Sequence, residues 1–250
     1  MSLVTVDIDN HVATLTIAPF EGLADRAFAE ALTEVSAQIA AHADVRSAVI
    51  ASAGDDFCHG WSEQALAEPH LESPALGGGF EALAALPQPT VAALEGRAYS
   101  AGLELALACD IRVTAEGATF AMPETGLAML PRGGGSQRLP RAVGRAHALR
   151  MLLTGEKIDA QEARRIGLVS AVVTTGEATA AARTIAIAIA SRGPIATRMV
   201  KEAVHRGSEM TLEQALRYEL DLTVLLQTTA DRAEGVRAFA AKRPPVFAGR

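Results

Sequence analysis

The sequence predicts an α/β protein that ends in a run of helices. Three observations lead there. Short apolar runs at 47–51, 90–94 and 111–114 alternate with segments of helical period. Turn residues such as Gly54-Asp55-Asp56 and the Pro87/Pro89 pair separate them. From Pro140 onward helical patterns dominate.

The elements follow in order. Val4, Val6 and Ile8 alternate with polar residues, and Val12, Leu15 and Ile17 resume after Asn10-His11, which predicts a β-hairpin. Phe28, Leu32, Val35 and Ile39 recur at helical spacing over 27–41. A buried strand is expected at 47–51. Residues 62–79 hold no sustained pattern and end in Gly77-Gly78-Gly79, so a mobile loop is expected, followed by a helix over 80–86 stopped by Pro87. Residues 90–94 read as a buried strand, 100–109 as a helix and 111–114 as a strand. Gly133-Gly134-Gly135 opens another helix. Asp159 and Glu162 have capping-box spacing, with Gly167 as the stop. Pro194 starts a helix that Gly207 ends. A long helix runs over 211–229 with Leu212, Leu216, Leu220 and Val224 on one stripe.

The chain has 250 residues, 49% hydrophobic and 21% charged, which suits one large domain or one domain with an appended helical piece. The net charge is −6 with Lys and Arg scattered, which argues against a nucleic-acid surface. Cys58 and Cys109 sit in apolar runs without a Cys-x-x-Cys motif and are expected to be buried thiols. The six histidines form no metal-ligand spacing, so no metal site is expected. No signal peptide or membrane-spanning run is read, and a cytoplasmic location is expected.

The most informative residues are Glu104 and Glu124, each set in an apolar stretch beside small residues. Burying a lone carboxylate costs several kcal/mol or forces it to take up a proton. Two such groups point to acid/base chemistry in a water-poor pocket. Every other residue from Ala101 to Cys109 is apolar or Gly, the mark of a buried helix. Glu124 also reads as a helix-start residue after Pro123. Ser100-Ala101-Gly102 would let a ligand approach backbone N–H groups at a helix N-terminus, where a developing oxyanion is stabilised. Phe57-Cys58-His59-Gly60-Trp61 follows a strand and offers a second N–H donor, with His59 as a potential base. Gly133-Gly134-Gly135 lacks a nucleotide-binding spacing and reads as a permissive turn. A rival constellation is a serine hydrolase using Ser100 with His147 or His205, since Ala98 to Gly102 nearly matches Gly-x-Ser-x-Gly.

Residues 90–110 (TVAALEGRAYSAGLELALACD), 120–124 (FAMPE), 130–139 (LPRGGGSQRL), 153–163 (LTGEKIDAQEA) and 234–247 (EGVRAFAAKRPPVF) together resemble the crotonase, or enoyl-CoA hydratase/isomerase, superfamily. The resemblance implies a spiral of ββα units. It implies a core over 1–190 and a helical trimerisation region over 191–250, giving a homotrimer or homohexamer. It also implies an acyl-CoA thioester substrate, with coenzyme A part of the substrate and no separate cofactor. By resemblance the backbone N–H groups of Trp61 and Ala101 form the oxyanion hole, flanked by Gly60 and Gly102. Glu104 and Glu124 fall on the two hydratase glutamates, and Lys242 matches a basic position that reaches the CoA phosphate. An enoyl-CoA hydratase is expected, with an isomerase or acyl-CoA hydrolase as the in-family alternative. The departures are specific. His59-Gly60-Trp61-Ser62 replaces the usual Ala-Gly-Ala-Asp, and bulky Trp61 is expected to narrow the acyl pocket or CoA channel. Residues 18–24 replace the stretch that usually holds the nucleotide end of CoA. Arg132 stands where Gly is usual and is expected to lie near Glu124 and lower its pKa.

Overall fold

The computed structural model describes residues 2–68 and 75–250. Strands β1 (Val4–Asp9) and β2 (Val12–Ile17) form the expected hairpin. Its Asn10-His11 turn has φ of 52° and 63°, as a two-residue type I′ hairpin requires. Helix α1 (Arg26–Ala41) starts at Asp25, whose side chain accepts the Phe28 N–H, and buries Phe28, Leu32 and Ile39. Then come β3 (Ser47–Ser52), α2 (Glu63–Ala67), α3 (Ala75–Ala84), β4 (Thr90–Leu94), β5 (Arg97–Tyr99) and α4 (Ala101–Ala108). They are followed by β6 (Ile111–Ala115), β7 (Thr119–Ala121), a 3-10 turn (Glu124–Leu127), α5 (Gly135–Val143), α6 (Arg145–Thr154), β8 (Ile158–Asp159), α7 (Ala160–Arg165) and β9 (Ala171–Val173). Helices α8 (Ala178–Ala190), α9 (Pro194–Gly207), α10 (Leu212–Gln227) and α11 (Ala230–Ala240) close the chain.

The strands form a six-stranded sheet, ordered β1-β2-β3-β4-β6-β9, and a three-stranded sheet, ordered β5-β7-β8. The large sheet is parallel from β2 to β9. The chain repeatedly lays one strand in the large sheet, one in the small sheet and then a helix: β4-β5-α4, then β6-β7 and on to α5. β3 follows the same course, with Cys58 bridged to Ala98 of β5 in place of a full second strand. This is the expected spiral of ββα units.

Both faces of the large sheet are covered, which is why its central strands read as continuous apolar runs. Ala48 and Ile50 of β3 face a core shared with Phe28, Phe57, Phe80 and Leu103. Val49 and Ala51 face the other way, onto Ala178, Ala182, Ala186 and Ala190 of α8. Alanine at every fourth position gives α8 a smooth face that lies close to the sheet.

Several expectations fail for identifiable reasons. The helix expected over 80–86 begins at Ala75 and runs through the glycine triplet, and α2 occupies part of the expected loop; residues 69–74 lie outside the described residues. Glycine disfavours helix by about 1 kcal/mol each, but here packing prevails. A Cβ at Gly79 would come within 2.4 Å of the Ala29 carbonyl oxygen, so only glycine lets α3 lie this close to α1. The short strands β5, β7, β8 and β9 were not expected, and β8 and β9 interrupt the almost wholly helical reading of the region after Pro140. The long helix over 211–229 is present, but its Leu212, Leu216, Leu220 and Val224 stripe is exposed and Leu222 is the buried residue. Among the described residues no helix is long and apolar enough to cross a membrane, and no His/Cys/Asp/Glu group is arranged to hold a metal.

Candidate active site

The site is assembled from backbone first. Residues 22–24 run alongside residues 59–62: the His59 N–H donates to the Gly22 carbonyl, the Ala24 N–H to the Gly60 carbonyl and the Ser62 N–H to the Ala24 carbonyl. That ladder turns the Trp61 N–H to the opposite side, where it donates to nothing among the described residues. The first N–H groups of α4, beginning with Ala101, are likewise free, as helix starts leave them. Gly102 brings the two donors' segments together. A Cβ there would stand 1.8 Å from the Cys58 carbonyl oxygen, so only glycine permits the contact.

Ser100 caps α4 with φ 50° and ψ −117°, a conformation that favours glycine. Such a residue stores about 1–3 kcal/mol and persists only where its surroundings fix it. Here the Ser100 N–H donates to the Ala121 carbonyl and the Tyr99 N–H to the Cys58 carbonyl. The turn thereby joins β5, β7 and the Cys58 segment at the point where α4 begins.

Glu104 follows one helical turn later and is fully buried, at 0% exposure. Its Oε1 accepts the Gly133 N–H at 2.6 Å and the Gly135 N–H at 2.8 Å. These glycines open α5, so the carboxylate sits at a helix N-terminus. A Cβ at Gly133 would meet the Phe80 ring at 2.3 Å, and one at Gly135 would meet Met122 at 2.8 Å, so side chains there would displace the cradle. Glu104 Oε2 has no hydrogen-bond partner among the described residues. Burial pushes the Glu104 carboxyl up to about 7, and the nearby Glu124 charge adds to the rise, against the Gly135 and Gly133 N–H groups and the Trp61 indole.

Glu124 begins the 3-10 turn, is 3% exposed, and neither of its carboxylate oxygens has a hydrogen-bond partner among the described residues. Burial raises its pKa; the Ser100 hydroxyl opposes this from nearby, without reaching hydrogen-bond geometry. Trp61 is 5% exposed and stacks on Phe80 with ring centroids 5.4 Å apart. Its side chain is therefore a wall of the Glu104 pocket. Three carboxylate oxygens of the two neighbouring glutamates have no partner among the described residues, and the backbone N–H groups of Trp61 and Ala101 donate to nothing among them. Such an arrangement can polarise a carbonyl and move protons beside it.

Other expected residues lie elsewhere. Arg132 is not beside Glu124: its guanidinium donates to the Ala65, Leu66 and Glu68 carbonyls at the end of α2, and Glu124 is raised rather than lowered. His59 places Nε2 on the Glu21 carbonyl at 2.9 Å, packed over Gly22, and is not joined to either glutamate. The serine-hydrolase reading fails on geometry. His205 binds Asp110 beyond the far end of α4, about 12 Å of helix from Ser100. His147 lies beside Glu162, and neither histidine bonds Ser100. Lys242 is exposed in the turn after α11, apart from the glutamate pocket. Both cysteines are free and buried. The Gly133/Gly135 cradle was missed in the sequence; its only signal was a glycine run opening a helix, and its anion is Glu104 rather than a bound phosphate.

The sequence profile described as enoyl-CoA hydratase/isomerase matches residues 18–250. (E)-benzylidenesuccinyl-CoA hydratase of Thauera aromatica is 39% identical over 98% of this chain and 99% of its own length. The probable mitochondrial enoyl-CoA hydratase 2 of Arabidopsis thaliana is 47% identical over 68% of this chain, and the match spans 56% of that relative. The crystal structure of enoyl-CoA hydratase from Bacillus anthracis superimposes with a TM-score of 0.94 at 35% identity, covering 99% of this chain and 100% of that one. A ββα spiral, a glycine-dependent pair of free N–H groups and two buried glutamates thus coincide with a sequence match across nearly the whole chain, and the protein belongs to the enoyl-CoA hydratase/isomerase family.

Proposed function

We propose that the protein is an enoyl-CoA hydratase that adds water to a 2-enoyl-CoA thioester, with Glu104 and Glu124 as the acid/base pair. The observation that carries this is the set of three buried, unpartnered carboxylate oxygens on those two residues. A purely structural pair would be expected to be satisfied.

The thioester carbonyl accepts the N–H groups of Trp61 and Ala101, which hold the negative charge that develops there. Glu104 is the base: its Oε1 is fixed by two N–H donors that favour the anion, leaving Oε2 to take a proton from water. The water oxygen bonds to the β-carbon and the π electrons move to the carbonyl oxygen as an enolate. Glu124, which has no such donors and is raised by burial, is the acid that protonates the α-carbon. Transfer of the proton from Glu104 to Glu124 resets the pair. Gly60 and Gly102 keep the donor segments in place. Lys242 meets the CoA phosphate in an assembly of subunits. The exposed apolar residues of α9 and α10, among them Val200, Val204, Leu216 and Leu220, become the contacts of a trimer.

The test is hydration of crotonyl-CoA, followed as loss of the conjugated thioester absorbance. Turnover by wild type that is lost in Glu104→Gln and Glu124→Gln supports the reading. Absence of hydration together with double-bond migration in a 3-enoyl-CoA would move the assignment to an isomerase. Release of free CoA thiol would move it to a hydrolase.

A further inference from the structure

Trp61 contributes more than a backbone donor. It is the only tryptophan of the chain. Its indole Nε1 is buried without a hydrogen-bond partner among the described residues, as is Oε2 of the neighbouring Glu104. A buried unpaired indole N–H is uncommon, since tryptophan usually finds an acceptor when buried. The ring is held in place by Phe80, which also packs against Gly133 of the Glu104 cradle. Among the described residues, His59 on the same segment turns to the Glu21 carbonyl. Glu124 faces Glu104 from the 3-10 turn. The Cys58 thiol, pushed up to about 11 by burial, stays neutral. Arg138 of α5 donates to the Gly133 carbonyl on the outer side of the cradle, and Arg132 is taken up by α2. No side-chain cation among these contacts the Glu104 carboxylate.

We infer that the Trp61 indole N–H is a positioning group for Glu104: it directs the free carboxylate oxygen toward the reacting water. This rests on the hydratase reading for its kinetic part only. Gly133 and Gly135 hold one carboxylate oxygen from the α5 side, and the indole, stacked on the Phe80 ring that abuts Gly133, is among the groups that act on the carboxylate from the segment after β3.

The experiment replaces tryptophan biosynthetically by its benzothiophene analogue, in which sulfur stands for the indole N–H and ring shape is kept. With one tryptophan, only position 61 changes. The expected result is a fall in kcat of about tenfold or more, with KM within about threefold. The acid limb of the pH profile should move up by about one unit, because a group that favours the anion has been removed. Unchanged kcat and an unmoved limb would overturn the inference. A second readout needs no turnover and so stands apart from the hydratase reading. Indole emission of the resting wild-type protein should titrate together with Glu104, and that titration should vanish in Glu104→Gln. Emission flat from pH 5 to 9, or the same titration in Glu104→Gln, would sink the pairing.

Discussion

The two ends of helix α4 handle a carboxylate in opposite ways. Asp110, just past the C-terminal end, is fully partnered: it accepts the Thr90 N–H at 2.7 Å and the Thr90 hydroxyl, pairs with Lys201 at 2.8 Å and bonds His205 at 2.8 Å. Burial works to raise its pKa, but His205 and Lys201 outweigh it and the group is held below the usual carboxylate range. Glu104, near the N-terminal end, keeps one oxygen unpartnered, faces a second carboxylate and is pushed up to about 7. Burial alone therefore does not make a carboxylate reactive. What differs is whether partners use up its oxygens, and at Asp110 they fasten α9 to the sheet.

The sharpest way to break this comparison is to remove the packing that creates the reactive end. Gly102→Ala forces a methyl into the Cys58 carbonyl and displaces both N–H donors; stability should fall by about 3 kcal/mol or more and activity with it. Thermal unfolding and crotonyl-CoA turnover together check this. Next, Glu124→Gln should cost about 10²–10⁴ in rate while leaving stability unchanged or improved, because an unpaired buried acid is gone. Asp110→Asn should do the reverse, costing about 3 kcal/mol by leaving Lys201 without its anion, with turnover of the folded fraction within about tenfold. Equal effects of the two substitutions on rate and stability would erase the distinction between the ends.

The same contrast appears in pH. Glu104 has a folded-state pKa raised from 4.5 to about 7. Its contribution to stability is therefore fully present below about pH 4.5 and is lost as pH rises through about 7, by on the order of 3 kcal/mol. Asp110 is lowered, so its contribution is present above its unfolded value near 3.8 and is lost as pH falls below it. Denaturant unfolding of wild type and Glu104→Gln between pH 2 and 8 separates the two. The smallest effect belongs to Ser100→Ala, which should retain activity within about tenfold, since the hydroxyl only adjusts Glu124. A loss of the size expected for a missing nucleophile would revive the serine-hydrolase reading.

Much of the reactive end was legible in the sequence. A glutamate inside an otherwise apolar helix is a local signal, and so is a small-residue turn before it. The hairpin and α9 were equally local, set by Asn10-His11 and by Pro194 and Gly207. What was hidden depends on contacts distant in sequence. The Gly133/Gly135 cradle binds an anion about thirty residues earlier. Arg132 turned to α2 because that helix end offers free carbonyls. Strands of two or three residues, such as β7 and β8, are too short to show alternation. α3 forms through its glycines because α1 lies against it.

The most direct measurement is the ionisation of Glu104 itself, followed by carbon-13 NMR of protein labelled at the glutamate side-chain carboxyls and assigned by the signal missing in Glu104→Gln. The Glu104 carboxyl should titrate near pH 7 and shift when Glu124 is replaced by Gln. A Glu104 signal titrating near the ordinary 4.5 and indifferent to Glu124 would contradict it, because the pocket would then hold two independent, solvated acids.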